Sequence, residues 1–280
     1  MTDPRPALDA IGLLPDGEID IADAALHLAR VDAPEADWRA ARENLSELAR
    51  DAVALAVELP TDDLPARAAA LVGLIAGRHR YRGDAETYDD PANANLIRVT
   101  ERRRGLPVAL GILWLHAARA AGWPAYGVDF PCHFLLALEG PGELRLESRL
   151  VLDVFAGGAS LDARDLRALV KRVEGPKAEL RPDLLQPMTS RGVLLRLQNN
   201  IKARRLREGR LAEALDCVET MLRIAPEDAT LWREAALVNQ RLDRVAAALR
   251  CFERFLALVP RGDAAARARA SMDELRTRLN

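Results

Sequence analysis

The chain has 280 residues, which is long enough for two domains and a sizeable core. Its formal net charge of −2 argues against a nucleic-acid binder held by bulk electrostatics. Aromatic residues make up only 4% of the chain while Ala, Leu and Arg dominate, and this mixture favours helix. The three cysteines fit neither a disulfide framework nor a zinc motif. Free thiols and the absence of a signal-peptide pattern predict a cytoplasmic protein.

Residues 1–85 are predicted to form a helical segment that packs on the core. Apolar residues recur at helical spacing over 20–30 and 36–59. A further helix is predicted over 64–76. The polar stretch that follows, up to residue 95, is punctuated by Gly and Pro and predicts a structured loop.

A buried helix that begins at Pro107 is the centre of the predicted fold. Proline suits a first helical position because its missing N–H would be unpaired there anyway. From Val108 to Ala121 the residues are nearly all apolar, and Gly122 ends the run. A helix that is apolar on nearly all sides belongs inside a domain, and this one is shorter than the roughly 20 residues of a membrane span.

After this helix the pattern changes to short strands. Runs at 125–130, 133–138, 143–147 and 150–155 predict an antiparallel sheet of three or four strands packed on the central helix. Gly140–Glu143 (GPGE) is predicted to form the turn of the main hairpin. If the hairpin folds about this turn, His133 lies close to Asp153 on a neighbouring strand. A helix over 162–173 follows.

From about residue 190 the chain repeats itself. Pro226 and Pro260 are 34 positions apart, and so are Ala214 and Ala248. This period, with small residues where helices cross and Pro at the end of each unit, is typical of tetratricopeptide repeats. The alternative is an ordinary helical bundle with a coincidental period. Two units and a final helix are too few for a long solenoid, so they need to pack on the rest of the chain.

His133 is the residue most suited to chemistry. It is either a core histidine hydrogen-bonded to backbone or a general base that needs a carboxylate partner. Asp153 interrupts an apolar run, and a buried carboxylate is costly unless paired, so these two residues are the best candidates for a pair. No Ser, Thr or Cys occurs over 101–131, and Cys132 would point away from its own neighbour on a strand. No metal-binding or phosphate-binding motif occurs, so neither a metal nor a cofactor is expected.

Three motifs occur in order, ERRRGLP at 101–107, FPCHF at 130–134 and DVFAGG at 153–158. Together with the repeats they resemble the bacterial transglutaminase-like family of regulators of sirC expression, which carries C-terminal tetratricopeptide repeats. The resemblance implies an α+β, mostly helical fold. We divide it into a helical N-terminal segment (1–85), a papain- or transglutaminase-like core of a buried helix on a small antiparallel sheet (86–183), and helical repeats (184–280).

The resemblance also assigns roles to individual residues. The wider superfamily has a Cys at a buried helix N-terminus, followed by a His and an Asp on adjacent strands. His133 and Asp153 match the last two. The Cys position falls at about Pro107, which cannot be a nucleophile, and Cys132 stands where the family usually has Gly.

The leading interpretation is a non-catalytic, transglutaminase-like scaffold or regulator that binds a protein or peptide partner through its repeats. Its pocket would be lined by Glu101, Arg104, Pro107, His133 and Asp153, and the positive helix end beside Arg104 favours an anionic or carboxylate-bearing ligand. Neither nucleic acid nor membrane is expected as a partner, and the oligomeric state stays open.

Two alternatives remain. The first is a cysteine-dependent amidase, peptidase or acyl-transfer enzyme that uses Cys132 or a nucleophile from elsewhere. In the second, the His133–Asp153 pair is a structural hydrogen bond and all function lies in the repeats.

Overall fold

The computed structural model describes residues 3–59, 62–140 and 149–277. Its contacts divide the chain into two compact units, one of residues 15–197 and one of the described residues of 1–14 and 198–280. This division falls inside a helix, Ser190–Arg207, whereas the sequence analysis sets the start of the repeats at residue 184. Within the described ranges, no helix combines the length and the apolar character needed to cross a membrane.

Most of the described chain is helical, which confirms the predicted α+β, mostly helical fold. The described α-helices are α1 (Arg5–Leu13), α2 (Ile21–Asp32), α3 (Trp38–Glu58), α4 (Leu64–Val72), α5 (Leu96–Arg102), α6 (Pro107–Ala120), α7 (Ala163–Glu174), α8 (Ser190–Arg207), α9 (Leu211–Ile224), α10 (Ala229–Arg241), α11 (Val245–Leu258) and α12 (Asp263–Thr277). The described strands are β1 (Arg82–Gly83), β2 (Arg104–Gly105), β3 (Ala125–Phe130), β4 (His133–Glu139), β5 (Arg149–Asp153) and β6 (Ala159–Leu161). α2, α3 and α4 each begin after an aspartate whose carboxylate accepts backbone N–H groups of the first turn.

The central helix of the unit formed by residues 15–197 is α6. It begins at Pro107, as predicted, and all residues from Val108 to Ala118 are buried except His116. His116 donates from Nε2 to the Leu45 carbonyl of α3 across 3.0 Å. Helices α2 and α3 pack on α6, and strand β4 packs on it as well. The helix is therefore enclosed by other helices and by the sheet.

The main sheet is antiparallel, in the order β3-β4-β5-β6. Pro131 and Cys132 form the two-residue turn between β3 and β4, and Cys132 adopts a left-handed φ of 55°. The fourth strand is β6, which the sequence analysis did not predict. The predicted strand over 143–147 and most of the GPGE turn lie outside the described residues.

Each face of the sheet packs on a different helix. Phe134 of β4 lies against Gly111 of α6. On the opposite face, Leu135 and Ala137 join a buried cluster with Leu166 of α7. Successive side chains of β4 therefore lie on opposite faces of the sheet, as they do along any strand.

The second unit holds the predicted repeat. Ala214 and Ala248, the small residues one period apart, are fully buried in α9 and α11. The indole N–H of Trp232 donates to the Pro226 carbonyl across 2.8 Å, which fixes the end of α9 against the start of α10. α1 belongs to this unit as well, because it packs on α9.

We expect Gly111→Ala to destabilise the protein. A Cβ at this position would lie 2.0 Å from the Phe134 ring, so either the ring or α6 must shift. Overpacking of this kind costs about 1–3 kcal/mol. Urea denaturation followed by circular dichroism measures the loss. Gly73→Ala is the control because nothing lies within 4 Å of the added Cβ, and equal losses in both variants would contradict the packing argument.

Candidate functional site

A buried carboxylate, Asp84, organises the loop between β1 and α5. It is only 1% exposed and accepts from the Thr87 hydroxyl at 2.6 Å and the Thr87 backbone N–H at 3.0 Å. Arg102 donates from Nη2 to the same carboxylate at 3.0 Å. The Thr87 hydroxyl, followed by its backbone N–H, the Asn93 amide and the charge of Arg102, lowers the pKa of Asp84 to about 2 against the opposing effect of burial.

Asn93 connects this loop to the start of α6. It is fully buried, donates to the Thr87 carbonyl at 2.7 Å and accepts from Arg102 at 3.3 Å. Its own carbonyl accepts from the N–H of Leu106 at 2.9 Å, and Leu106 immediately precedes the first residue of α6. The network of Asp84, Asn93 and Arg102 therefore fixes where the central helix begins.

Three of the five residues predicted to line a pocket lie in consecutive elements beside this network. Glu101 is in α5, where its carboxylate accepts from Arg98 at 3.1 Å. Arg104 is in β2 and donates to Glu86 at 3.0 Å. Pro107 is the first residue of α6 and is partly exposed.

His133 and Asp153 lie on neighbouring antiparallel strands. Leu136 pairs with Leu152, and continuing this register by one residue sets Asp153 opposite Leu135. The two candidate residues thus share a face of the sheet, one diagonal step apart. Among the described residues no hydrogen bond joins their side chains. Asp153 Oδ1 accepts instead from the backbone N–H groups of Phe155 and Ala156, at 3.0 and 3.1 Å.

Strand alternation assigns His133 to the face of Leu135 and Ala137, which α7 covers, rather than to the face of Phe134, which lies against α6. The N-terminus of α6 and the imidazole therefore belong to opposite sides of the sheet. Cys132 is exposed in the turn just before His133.

Arg196 of α8 is a member of the site that the sequence analysis missed. It donates to the His133 carbonyl across 2.7 Å and pairs with the Asp129 carboxylate. Tyr88 belongs to the same group, since burial raises its pKa and the charge of Arg196 opposes that rise. Arg196 is 63 residues from His133, in a segment assigned to the repeats, so no local pattern could have connected the two.

The chemistry available in this region is limited by its residue types. From 101 to 131, a fully described stretch, no Ser, Thr or Cys occurs. In the parts of the chain that the structure describes, no three His, Cys, Asp or Glu side chains lie close enough together to hold a metal ion. The site instead contains charge-paired arginines and hydrogen-bonded carboxylates.

Comparison with known families agrees with this architecture. The profile of the Transglutaminase-like superfamily matches residues 39–199, and a tetratricopeptide repeat profile matches residues 201–278. Fold and sequence together define a transglutaminase-like domain followed by tetratricopeptide repeats, which confirms the predicted resemblance and the repeat.

Bacterial proteins are similar in sequence to this chain over most of their length. The UPF0162 protein of Vibrio cholerae is 31% identical over 248 residues, 88% of this chain and 89% of its own. That of Pseudomonas aeruginosa is 30% identical over 245 residues, 86% of this chain and 84% of its own. YchA of Escherichia coli K12 is 27% identical over 247 residues, 88% of each chain. The chain belongs to this UPF0162 family of transglutaminase-like proteins.

We expect Asp84→Asn to destabilise the protein in a pH-dependent way. The folded-state pKa of Asp84 is lowered from 3.8 to about 2, so its stabilisation is complete above pH 3.8 and is lost as the pH falls towards 2. Loss of charge-assisted hydrogen bonds costs on the order of 2 kcal/mol at neutral pH. Urea denaturation at pH 7, 4 and 3 measures the difference from wild type.

The control for this experiment is Asp216→Asn, which changes an exposed carboxylate on α9. We expect it to leave stability within about 0.5 kcal/mol of wild type at each pH. A deficit in Asp84→Asn that stays constant from pH 7 to pH 3 would show that the charge of Asp84 is not what holds the loop.

Proposed function

We propose that this protein is a non-catalytic scaffold or regulator that binds a protein or peptide partner. The observation that carries the proposal is Pro107 at the first position of α6. A saturated proline ring offers no lone pair for attack on a carbonyl carbon, whereas covalent catalysis in this superfamily pattern needs a thiol at that place. The free thiols of Cys132, Cys217 and Cys251 support a cytoplasmic location as part of the same proposal.

The hydrogen bonds around the predicted triad support a non-catalytic core. A catalytic Asp orients its His by accepting from the imidazole. Asp153 Oδ1 instead accepts two backbone N–H groups of the turn that follows β5. The carboxylate therefore stabilises a turn, and within the described residues it forms no hydrogen bond that would set the tautomer of the His133 imidazole.

The repeats supply the surface for binding. Stacked helical repeats present extended surfaces that suit peptide and protein partners. Leu237 on α10 leaves a large apolar side chain 44% exposed. We infer that this side chain lies within the surface that contacts the partner.

Partner capture with the full-length chain tests the role of the repeats. We expect Leu237→Glu to abolish capture of proteins retained by wild type, because a charge would be desolvated in an apolar contact. Val57→Glu is the control. Val57 is also apolar and is 75% exposed, but it lies on α3, in the unit formed by residues 15–197. Quantitative mass spectrometry of the retained proteins gives the comparison, and equal retention by Leu237→Glu and wild type would refute the assignment.

The anionic pocket is a separate part of the proposal. Arg104, beside the N-terminus of α6, would supply its positive charge. His133, which belongs to the α7 side of the sheet, would be a separate contact for the partner. In the same capture experiment we expect Arg104→Ala and His133→Ala each to lose part of the retained set. If both variants retain every partner at the wild-type level, neither residue has a role in binding.

The competing enzyme would use the exposed thiol of Cys132 with His133 as its base. Thiol alkylation, measured for each cysteine by mass spectrometry, distinguishes this enzyme from the non-catalytic scaffold. We expect Cys132 to label at the same rate in wild type and in His133→Ala at every pH. Cys251 is the internal reference, because burial raises the pKa of its thiol and slows its labelling. Fast labelling of Cys132 near neutral pH that is lost in His133→Ala would overturn the non-catalytic proposal.

A further inference from the structure

A cavity of about 370 Å³ lies between the sheet and α7, and none of the five predicted pocket residues lines it. Its apolar lining comes from both layers: Val128, Ala137, Val151, Leu161, Leu166 and Leu180. Sites for small molecules usually occupy roughly 300–1,000 Å³ and are mostly apolar with a few polar groups. The cavity meets both descriptions.

Two polar atoms of this lining are buried and have no hydrogen-bond partner among the described residues. The first is the Tyr126 hydroxyl. The second is Nε of Arg149, which forms a long ion pair with the Glu139 carboxylate at 3.9 Å but no hydrogen bond in that part of the chain. Burial raises the pKa of Tyr126 to about 12, so the phenol keeps its proton as a donor at neutral pH. Both the Tyr126 hydroxyl and Arg149 Nε are donors, and neither atom has a hydrogen-bond acceptor among the described residues.

The two groups are close together. The Arg149 guanidinium carbon lies 5.5 Å from the centroid of the Tyr126 ring. Arg149 makes one long bond, from Nη1 to the Leu185 carbonyl at 3.5 Å. Buried donors that lack acceptors are unfavourable, and an anion between them would satisfy both at once.

Charge around the cavity favours the same kind of ligand. Arg167 of α7 and Arg181 also line it, and both are exposed. The acidic residue in the lining, Asp162, accepts from the backbone N–H groups of Arg164 and Asp165 at 2.7 and 2.9 Å, so its charge stabilises the start of α7. The lining thus holds three guanidinium groups and one carboxylate, and Arg181 also pairs with Asp183 outside the lining at 3.5 Å.

We propose that this cavity binds an amphipathic monocarboxylate, such as a medium-chain fatty acid. The apolar lining holds the hydrocarbon chain. The carboxylate accepts from the Tyr126 hydroxyl and the Arg149 guanidinium, with Arg167 and Arg181 adding long-range attraction. A single planar carboxylate matches one hydroxyl and one guanidinium, and the apolar lining rejects a fully polar anion.

Isothermal titration of the full-length protein with decanoate, below its micelle concentration, tests the proposal. We expect saturable binding of one decanoate per chain that weakens as salt increases. Decyltrimethylammonium has the same chain with the opposite charge, and we expect it to bind at least about tenfold more weakly. Equal binding of the two compounds, or no saturable binding of decanoate, would overturn the proposal.

Variants locate the binding in the cavity. Tyr126→Phe keeps the ring and removes only the hydroxyl, and we expect about fivefold weaker decanoate binding without loss of folding. The double variant Arg167→Gln/Arg181→Gln changes exposed side chains only, and we expect about tenfold weaker binding. Arg172→Gln, on α7 but outside the cavity lining, is the matched control and should bind as wild type does.

Two results with these variants would contradict the assignment. Unchanged decanoate affinity in both Tyr126→Phe and the double arginine variant would place the binding elsewhere on the protein. Binding of a peptide with a C-terminal Leu carboxylate, but not of decanoate, would assign the cavity to a protein partner instead of a small molecule. Neither result bears on the repeats, so this test stands apart from that of the proposed function.

Discussion

The structure of the unit formed by residues 15–197 depends on the burial of α6. A helix buried from Val108 to Ala118, and preceded by the buried Leu106, has little water available for the backbone of that stretch. The N–H of Leu106 is therefore satisfied by the Asn93 carbonyl, and Asn93 is itself held by Thr87 and Arg102. The buried charge of Asp84 thus orders the polar loop whose backbone forms a hydrogen bond at the start of the apolar helix α6.

The same constraint explains why proline is tolerated at a position that the superfamily pattern gives to a nucleophile. At the first turn of a helix, the backbone N–H has no partner within the helix, so proline removes no bond there. Proline at this position is therefore compatible with the fold. Architecture and reaction are separable in such a core.

The sequence predicts the elements of this protein better than its side-chain network. α6 and the strands β3 and β4 follow from apolar runs between breakers, and α9 and α11 follow from a 34-residue period. These signals are local or strictly periodic. Arg196 meets His133 across 63 positions, and Asp84 meets Arg102 across 18, through contacts that only the packed chain defines.

The cavity beside α7 is hidden from the sequence for a related reason. In the sequence, Tyr126 lies in a predicted strand and Arg149 immediately precedes another, and neither residue stands out. Only the register of β3, β4 and β5, together with the position of α7, shows that the Tyr126 hydroxyl and Arg149 Nε are buried without acceptors among the described residues. The absence of a hydrogen-bond acceptor leaves no pattern in the sequence, because it depends on the atoms packed around a side chain rather than on the side chain itself.

The left-handed backbone of Cys132 has a consequence for the stability of the turn between β3 and β4. A residue with a Cβ in that conformation costs about 1–2 kcal/mol relative to glycine. Natural domains hold a reserve of about 5–15 kcal/mol, so the fold can carry this strain in one exposed turn. The side chain at Cys132 is therefore held in place by the pairing of β3 with β4 rather than by a backbone preference of its own.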